Sequence, residues 1–209
     1  GVHESQSRIY ENQLGRSQAF TEFLFSKMQA HFGNFGISSA KAFYKSVNSV
    51  SKGFIRTEAD EVQYNLHVLL RFDLERALVS GDLQVKDLQT AWNDRFYSDF
   101  GYHVASASQG CLQDVHWSVG LFGYFPTYSL GNVYAGCLYE TLREACPQLD
   151  EDLRVGNLAS ATDWLRDTVQ CHGGLKLPRQ TISDACGFKP SEAPLLAYLK
   201  QKFSDIYDL

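Results

Sequence analysis

Five side chains of different chemistry lie close together in one segment that is punctuated by glycines. They are the amide of Gln113, the carboxylate of Asp114, the imidazole of His116, the indole of Trp117 and the phenol of Tyr124. A buried core rarely needs so many hydrogen-bonding groups, because each must find a partner away from water. A site that binds and polarises a substrate does need them. We therefore expect this segment to contribute to a functional site.

Asp114 and His116 are two residues apart, so one is able to orient the other. A buried His–Asp pair is often a purely structural hydrogen bond. The same pair holds an imidazole in one tautomer beside a metal ion or a nucleophile, and a hydrolase that uses the two without metal is a weaker reading. Ser118 suggests a Ser-His-Asp triad, but the G-x-S-x-G motif of a nucleophile elbow is absent. Serine hydrolysis is therefore disfavoured.

Two further charged residues are candidates on a local basis. Glu4 stands four residues before Arg8, which on a helix predicts an exposed ion pair. The alternative for Glu4 is a metal-ligand role beside two imidazoles, although no two histidines have H-x-x-x-H spacing. Arg56 precedes a predicted helix and is either an ordinary surface arginine or a bidentate clamp for a carboxylate.

The elements that position these residues are predicted to be helices. In three of them leucines or aromatic residues recur every four positions, and most are followed by glycines or a proline as stops. The pattern predicts helices over residues 5–32, 57–80, 88–100, 132–146 and 157–171, and a last helix capped by Ser191. Residues 102–108 are predicted to be irregular, and residues 110–130 to combine short helix with loop. The fold class is therefore mainly α, a multi-helix single domain with little or no β-structure.

The composition of the chain argues against two classes of binding partner, nucleic acids and membranes. The chain has 209 residues, 44% of them hydrophobic and 21% charged, with a net charge of −5 and no basic stripe. Nucleic acid is therefore not an expected partner. No apolar run approaches the roughly 18 residues of a membrane span, so no membrane partner is expected either. The five cysteines are scattered and lack C-x-x-C spacing, which favours a reducing, cytoplasmic compartment.

Three motifs, taken together, resemble the signature blocks of one enzyme family. They are HESQ at His3–Gln6, IRTEAD at Ile55–Asp60 and GCLQDVHW at Gly110–Trp117. In this order they are similar to blocks of the thermostable carboxypeptidase Taq family of zinc metallocarboxypeptidases. The GYFPTY stretch at Gly123–Tyr128 is similar to the family's sequence just after its third block, and the resemblance covers the whole chain.

The resemblance implies an almost entirely helical fold with a deep groove, a homodimer, and removal of the C-terminal residue from a peptide substrate. It implies that Glu4 is the third protein ligand of Zn²⁺ or Co²⁺. Arg56 would hold the terminal carboxylate of the substrate, Tyr124 would stabilise the oxyanion, and Gln113, Asp114 and His116 would line the groove. On this resemblance the catalytic candidates are Tyr124 and His116. The substrate-binding candidates are Arg56, Gln113 and Asp114.

The sequence departs from the family pattern in one respect. The family's other two metal ligands and its general base come from an upstream H-E-x-x-H helix, and these 209 residues contain no such motif. We therefore expect residues 1–209 to be the C-terminal part of a metallocarboxypeptidase catalytic domain, with no metal bound and no activity alone. The alternative is a naturally truncated, non-catalytic paralogue that acts as a peptide-binding or dimerisation module.

Overall fold

The chain is built from helices, and its computed structural model describes all residues, 1–209, without a β-strand. The α-helices are α1 (Val2–Arg8), α2 (Gln18–Phe32), α3 (Ala40–Val47), α4 (Tyr64–Ser80), α5 (Leu88–Phe100), α6 (Pro126–Ala145), α7 (Leu149–Arg154), α8 (Ala159–Thr168), α9 (Pro178–Cys186) and α10 (Ala193–Tyr207). The predicted mainly α fold class is confirmed. None of the helices is both long and apolar enough to cross a membrane.

The chain forms two compact units, and the first contains most of the helices. It comprises Gly1–Ser49 and Leu130–Leu209. Its core is a cluster of aliphatic side chains, several of them without solvent exposure, including Ile9, Leu138 and Leu165. Burial of such side chains is the main stabilising contribution, about 1.5–3 kcal/mol for each one that is fully buried.

The second unit, Val50–Ser129, contains α4 and α5 and the long irregular segment after them. Leu70, Trp92 and Phe96 form its central cluster and are almost fully buried. The four-residue repeat of large apolar side chains places Trp92 and Phe96 on one face of α5, as the spacing predicts. The description of residues 1–209 as a single catalytic domain stays a prediction.

Helix α5 matches its predicted bounds, whereas the predicted helix over 5–32 is interrupted. After α1 the backbone widens into a π-helical segment, Ile9–Leu14, and α2 begins only after Ser17. The Ser17 hydroxyl accepts a hydrogen bond from the Phe20 amide at 3.1 Å. This N-cap satisfies a backbone donor at the start of α2 and so favours a new helix there.

Helix α4 begins seven residues later than the predicted start at 57. Residues Arg56–Glu58 form a single 3₁₀ turn. The Asp60 carboxylate accepts hydrogen bonds from the amides of Val62 and Gln63, at 3.0 and 2.9 Å. Asp60 therefore caps the turn that leads into α4 instead of completing a capping box with Thr57.

Other differences are a helix start, three short helices and the predicted Ser191 cap: the residue before α10 is Glu192, and no side-chain hydrogen bond caps this helix. Helix α6 begins at Pro126, where proline is tolerated because the first-turn amide has no helical acceptor, and not at 132. Helices α3, α7 and α9 are too short to produce a clear periodic signal and were not predicted. All five cysteines are free thiols, three of them buried.

The first unit's core can be tested by truncating one leucine. Leu138 on α6 has no solvent exposure, whereas Leu196 on α10 is 57% exposed. We expect Leu138→Ala to lower the free energy of unfolding by about 2–5 kcal/mol, because it removes buried contacts and leaves a cavity. Leu196→Ala should cost about 0.5 kcal/mol. Urea unfolding followed by circular dichroism measures both, and equal costs would contradict this core.

Candidate functional site

The carboxylate of Asp114 is shared by two arginines inside the second unit. Arg56 donates from Nη2 to Oδ1 at 2.7 Å, and Arg71 donates from Nε to Oδ2 at 2.6 Å. The side chains of Arg56, Arg71 and Asp114 are 6%, 0% and 11% exposed. Burial raises the pKa of Asp114, but the hydrogen bond from Arg56 and the charges of both arginines outweigh it and lower the pKa. The carboxyl group is therefore ionised at neutral pH.

Arg56 is held by aromatic rings as well as by Asp114. Its guanidinium carbon lies 4.8 Å from the ring centre of Tyr128 and 5.7 Å from that of Phe125. Nη1 donates to the Tyr64 hydroxyl at 3.1 Å, and Nε and Nη2 donate to Asp114. Of the five N–H groups of an arginine, these bonds leave one on Nη1 and one on Nη2 for another acceptor.

Gln113 joins the two sequence blocks that carry Arg56 and Asp114. Its Oε1 accepts from the Arg56 amide at 2.8 Å, and its Nε2 donates to the carbonyls of Phe54 and Gln109 at 2.9 and 2.8 Å. Both the oxygen and the nitrogen of the side-chain amide are thus hydrogen-bonded to backbone groups. In this arrangement Gln113 positions Arg56, and its substrate-binding role stays a prediction.

His116 lies against Asp114 and a tyrosine. Its Nε2 is 2.9 Å from the Tyr128 hydroxyl, and its Nδ1 is 3.8 Å from Asp114 Oδ1. Burial and the charges of Arg56 and Arg71 lower the pKa of His116, and Asp114 and Glu75 only partly oppose this. The imidazole is therefore neutral at neutral pH and able to accept a proton or a hydrogen bond.

Tyr124 is the exposed member of this group. Its side chain is 44% exposed, and its ring centre lies 5.8 Å from that of His116. The turn before it is fixed by Glu75, whose carboxylate accepts hydrogen bonds from the indole of Trp117 at 2.7 Å and from the backbone amide of Gly123. Glu75 and Gly123 also line an open cavity of about 770 Å³.

Three residues on one face of α4 contribute to this cluster and were missed by the sequence prediction. They are His67, Arg71 and Glu75, spaced four apart. Arg71 Nη1 donates to the His67 carbonyl at 2.7 Å. Burial lowers the pKa of Arg71 to about 10. Burial, together with the charges of Arg71 and Arg56, lowers the pKa of His67 to about 3. The available signal was a stripe of ionisable residues at helical spacing beside the leucine stripe.

The structure brings five of the six predicted site residues together in the second unit, whereas Glu4 belongs to the first. Glu4 lies on α1, and its Oε1 accepts from Arg8 Nε at 2.9 Å. The ion pair expected from the spacing is therefore present. It is less exposed than expected, because 23% of the Glu4 side chain and 15% of the Arg8 side chain are accessible.

Glu4 fits a divalent metal as one ligand of a larger set. A carboxylate oxygen is a competent ligand for zinc, and the hydrogen bond from Arg8 engages Oε1 and not both oxygens. Nowhere in residues 1–209 do three or more His, Cys, Asp or Glu side chains come together in a metal-binding group. Glu4 therefore fits a metal only as one member of a ligand set that residues 1–209 do not complete.

Replacing Asp114 tests the shared carboxylate. We expect Asp114→Asn to lower the free energy of unfolding by about 3–5 kcal/mol, because it leaves two buried guanidinium groups without their counter-charge. Asp150→Asn is the matched control, since Asp150 pairs with Arg143 through two hydrogen bonds but is 39% exposed, and it should cost at most about 1 kcal/mol. Urea unfolding at pH 7 measures both, and similar costs would contradict the buried cluster.

The lowered pKa of Asp114 also predicts a pH dependence. At acid pH the unfolded chain binds a proton at this group, with a pKa of about 3.9, before the folded chain does, so ionisation of Asp114 stabilises the fold above that pH. The stability difference between wild type and Asp114→Asn should therefore shrink as the pH falls from about 5 to 3. Urea titrations across this range measure it, and a constant difference would argue against the assignment.

Comparison with known proteins identifies relatives over nearly the whole chain. The sequence profile of the carboxypeptidase Taq (M32) metallopeptidase family matches residues 1–203. Thermostable carboxypeptidase 1 of Thermus thermophilus is 41% identical over 207 residues, and carboxypeptidase 1 of Bacillus subtilis is 38% identical over 208. These matches cover 99% of this chain but 41% and 42% of the relatives, so the chain spans about two fifths of their length.

Solved structures agree with the sequence match. The M32 carboxypeptidase from Deinococcus radiodurans matches 100% of this chain and 42% of its own, with a TM-score of 0.96 and 39% identity. Metallocarboxypeptidase 1 of Trypanosoma cruzi matches 96% of this chain and 41% of its own, with a TM-score of 0.92 and 34% identity. The family profile, the identities and the shared helical fold lead to one conclusion: the chain belongs to the carboxypeptidase Taq (M32) family of metallopeptidases.

Proposed function

We propose that the full-length protein containing these residues is a metal-dependent carboxypeptidase that releases C-terminal residues from peptides. The observation that carries this proposal is the family match over residues 1–203. Within that activity, Glu4 is this chain's proposed metal ligand, and the cluster around Arg56 is its proposed substrate-binding part. The other ligands and the general base would come from an H-E-x-x-H helix elsewhere in the full-length protein.

Glu4 is the proposed metal ligand, and Zn²⁺ or Co²⁺ the proposed metal. A bound divalent ion supplies Lewis-acid polarisation of the scissile carbonyl and lowers the pKa of a water molecule. Glu4 contributes a negative charge and one oxygen donor, and Arg8 orients that carboxylate through its 2.9 Å hydrogen bond. The ordered side chain favours metal binding, because less conformational freedom is lost when the site forms.

Arg56 is the proposed anchor for the terminal carboxylate of the substrate. The two N–H groups that its bonds to Asp114 and Tyr64 leave over, one on each terminal nitrogen, suit the two oxygens of a carboxylate. Arg71 fixes Asp114, Asp114 fixes Arg56, and Gln113 fixes the Arg56 backbone. Asp114 and Gln113 therefore act on the substrate through Arg56.

His116 and Tyr124 are proposed to act at the reacting carbonyl. His116 is neutral because burial and two arginines lower its pKa, and its buried Nδ1, which has no hydrogen-bond partner, is the ring nitrogen able to donate or accept one more hydrogen bond. Tyr124 presents an exposed phenol beside it, a donor suited to a developing oxyanion. Tyr128 holds the imidazole through Nε2, which fixes the direction in which Nδ1 points.

The family resemblance further supports a homodimeric assembly. A reducing, cytoplasmic compartment is proposed on the five free, scattered thiols, which no disulfide framework uses.

The metal-ligand role of Glu4 is tested in the full-length protein by Glu4→Gln. We expect this variant to lose bound metal and at least about 100-fold in kcat/KM for a peptide with a free C-terminus, since a ligand matters more than the outer partners that cost 10- to 100-fold. Glu11→Gln is the matched control, because Glu11 also pairs with Arg8, at 3.1 Å, but is not a proposed ligand. Elemental analysis and release of C-terminal residues measure the effects.

The outcomes separate the alternatives. Retention of metal and activity by Glu4→Gln would remove Glu4 from the metal site. Chelator-resistant peptidase activity would favour hydrolysis by Asp114 and His116 without metal. Peptide binding with no metal and no hydrolysis in the full-length wild-type protein would favour the non-catalytic binding module over the enzyme.

A further inference from the structure

Helix α6 packs against α1 at Gly131, which lies directly against Glu4. A Cβ atom placed on Gly131 would lie 2.6 Å from Glu4 Cγ, 2.8 Å from Glu4 Cβ and 3.2 Å from the Glu4 carbonyl carbon. Carbon atoms in contact prefer separations of about 3.5–4.0 Å. Only glycine allows the two helices to pack at this distance, and the root of the Glu4 side chain rests on the bare backbone of Gly131.

The tip of the same side chain is held from another direction. Arg8 Nε donates to Glu4 Oε1 at 2.9 Å, and Arg8 also donates from Nη1 to Glu11 at 3.1 Å. Glutamate has three rotatable side-chain bonds, so a carboxylate is fixed in space only when both its root and its tip are restrained. Gly131 provides the restraint at the root, and Arg8 provides it at the tip.

We propose that Gly131 is a positioning residue for the metal ligand Glu4, which rests on the proposed function. Gly131 does not touch metal or substrate. It sets the depth at which α1 sits on α6 and thereby the place and direction of the Glu4 carboxylate. Metal–ligand distances tolerate only about ±0.2 Å, so a shift of α1 of a fraction of an ångström matters at the metal.

The structure offers a matched control on the same helix. Gly136 is also buried in α6, and a Cβ there would lie 2.8 Å from the backbone nitrogen and Cα of Leu195 and 2.9 Å from its Cβ. Gly131 and Gly136 thus share a helix, a burial class and a degree of crowding, but only Gly131 faces Glu4. Loss of stability is expected from an alanine at either position, whereas loss of metal affinity is expected only at Gly131.

The experiment measures metal affinity and thermal unfolding of full-length Gly131→Ala, Gly136→Ala and Glu4→Gln proteins. The probe is Zn²⁺, titrated against a chelator, and the metal-induced rise in Tm is a second readout. We expect Gly131→Ala to bind Zn²⁺ about 10- to 100-fold more weakly, in the range found for other residues that orient ligands. Gly136→Ala should have a lower Tm but an affinity within about threefold of wild type.

A double variant tests the contact itself without metal. Glu4→Gly removes the two side-chain atoms that a Cβ at Gly131 would meet most closely. Without metal, the fall in Tm caused by Gly131→Ala should therefore be smaller by roughly 2–4 °C in the Glu4→Gly background than in the wild type. If Gly131→Ala alone does not fold, folding of the double variant supports the contact, and its failure to fold while Gly136→Ala folds overturns it.

The results distinguish this proposal from the proposed function. Normal Zn²⁺ affinity in Gly131→Ala, together with loss of Zn²⁺ in Glu4→Gln, overturns the positioning role and leaves the ligand role intact. Normal affinity in Glu4→Gln overturns the ligand role, and the positioning role falls with it. Equal loss of affinity in Gly131→Ala and Gly136→Ala also overturns the proposal, because it would reflect general loss of packing.

Discussion

The ionised carboxylate of Asp114 is the group on which the second unit depends. It is the common acceptor for Arg56 and Arg71, two guanidinium groups that are almost completely buried. Removing such cations from water costs several kcal/mol each, and only a close counter-charge with good hydrogen-bond geometry offsets that cost. Because Arg71 lies on α4 and Arg56 begins the 3₁₀ turn before it, the carboxylate also fixes the 110–117 segment against these elements. This buried contact therefore also positions the exposed side chains beside the 110–117 segment.

This arrangement divides the polar segment into groups that hold and groups that remain available. Gln113 hydrogen-bonds to backbone groups and Asp114 accepts from arginines, so both side chains make their hydrogen bonds within the protein. His116 also directs both ring nitrogens into the protein, one toward Asp114 and the other to Tyr128, whereas Tyr124 faces solvent. The density of polar residues that marked this segment therefore has two causes: part of it supports the site, and part of it forms the surface that a substrate would meet.

The sequence predicted the helical fold and the bounds of α5. Gly101 ends α5 because a left-handed residue is needed there, with φ of 78°, and this signal is local. The predicted start of α4 was wrong because Asp60 caps the amides two and three residues ahead of it. The sequence alone does not decide between this cap and a capping box formed by Thr57 and Asp60. The pairing of Arg56 with Asp114 spans 58 positions. No local pattern encodes such a contact, and Arg71 was missed because it lies outside the leucine stripe that predicts its helix.

Glu4 shows how a weak sequence signal gains meaning from packing. Taken alone, a glutamate four residues before an arginine predicts an ion pair and nothing more, and that pair is present. An exposed pair of this kind leaves the glutamate free to change rotamer, since such pairs contribute only a few tenths of a kcal/mol. Here the crowding of Cβ and Cγ against Gly131 restricts the first side-chain torsions, which the ion pair at the tip does not control. A surface ion pair has no need of that second restraint. A metal ligand, the role proposed for Glu4, does need it, because coordination fixes its oxygen in both distance and direction.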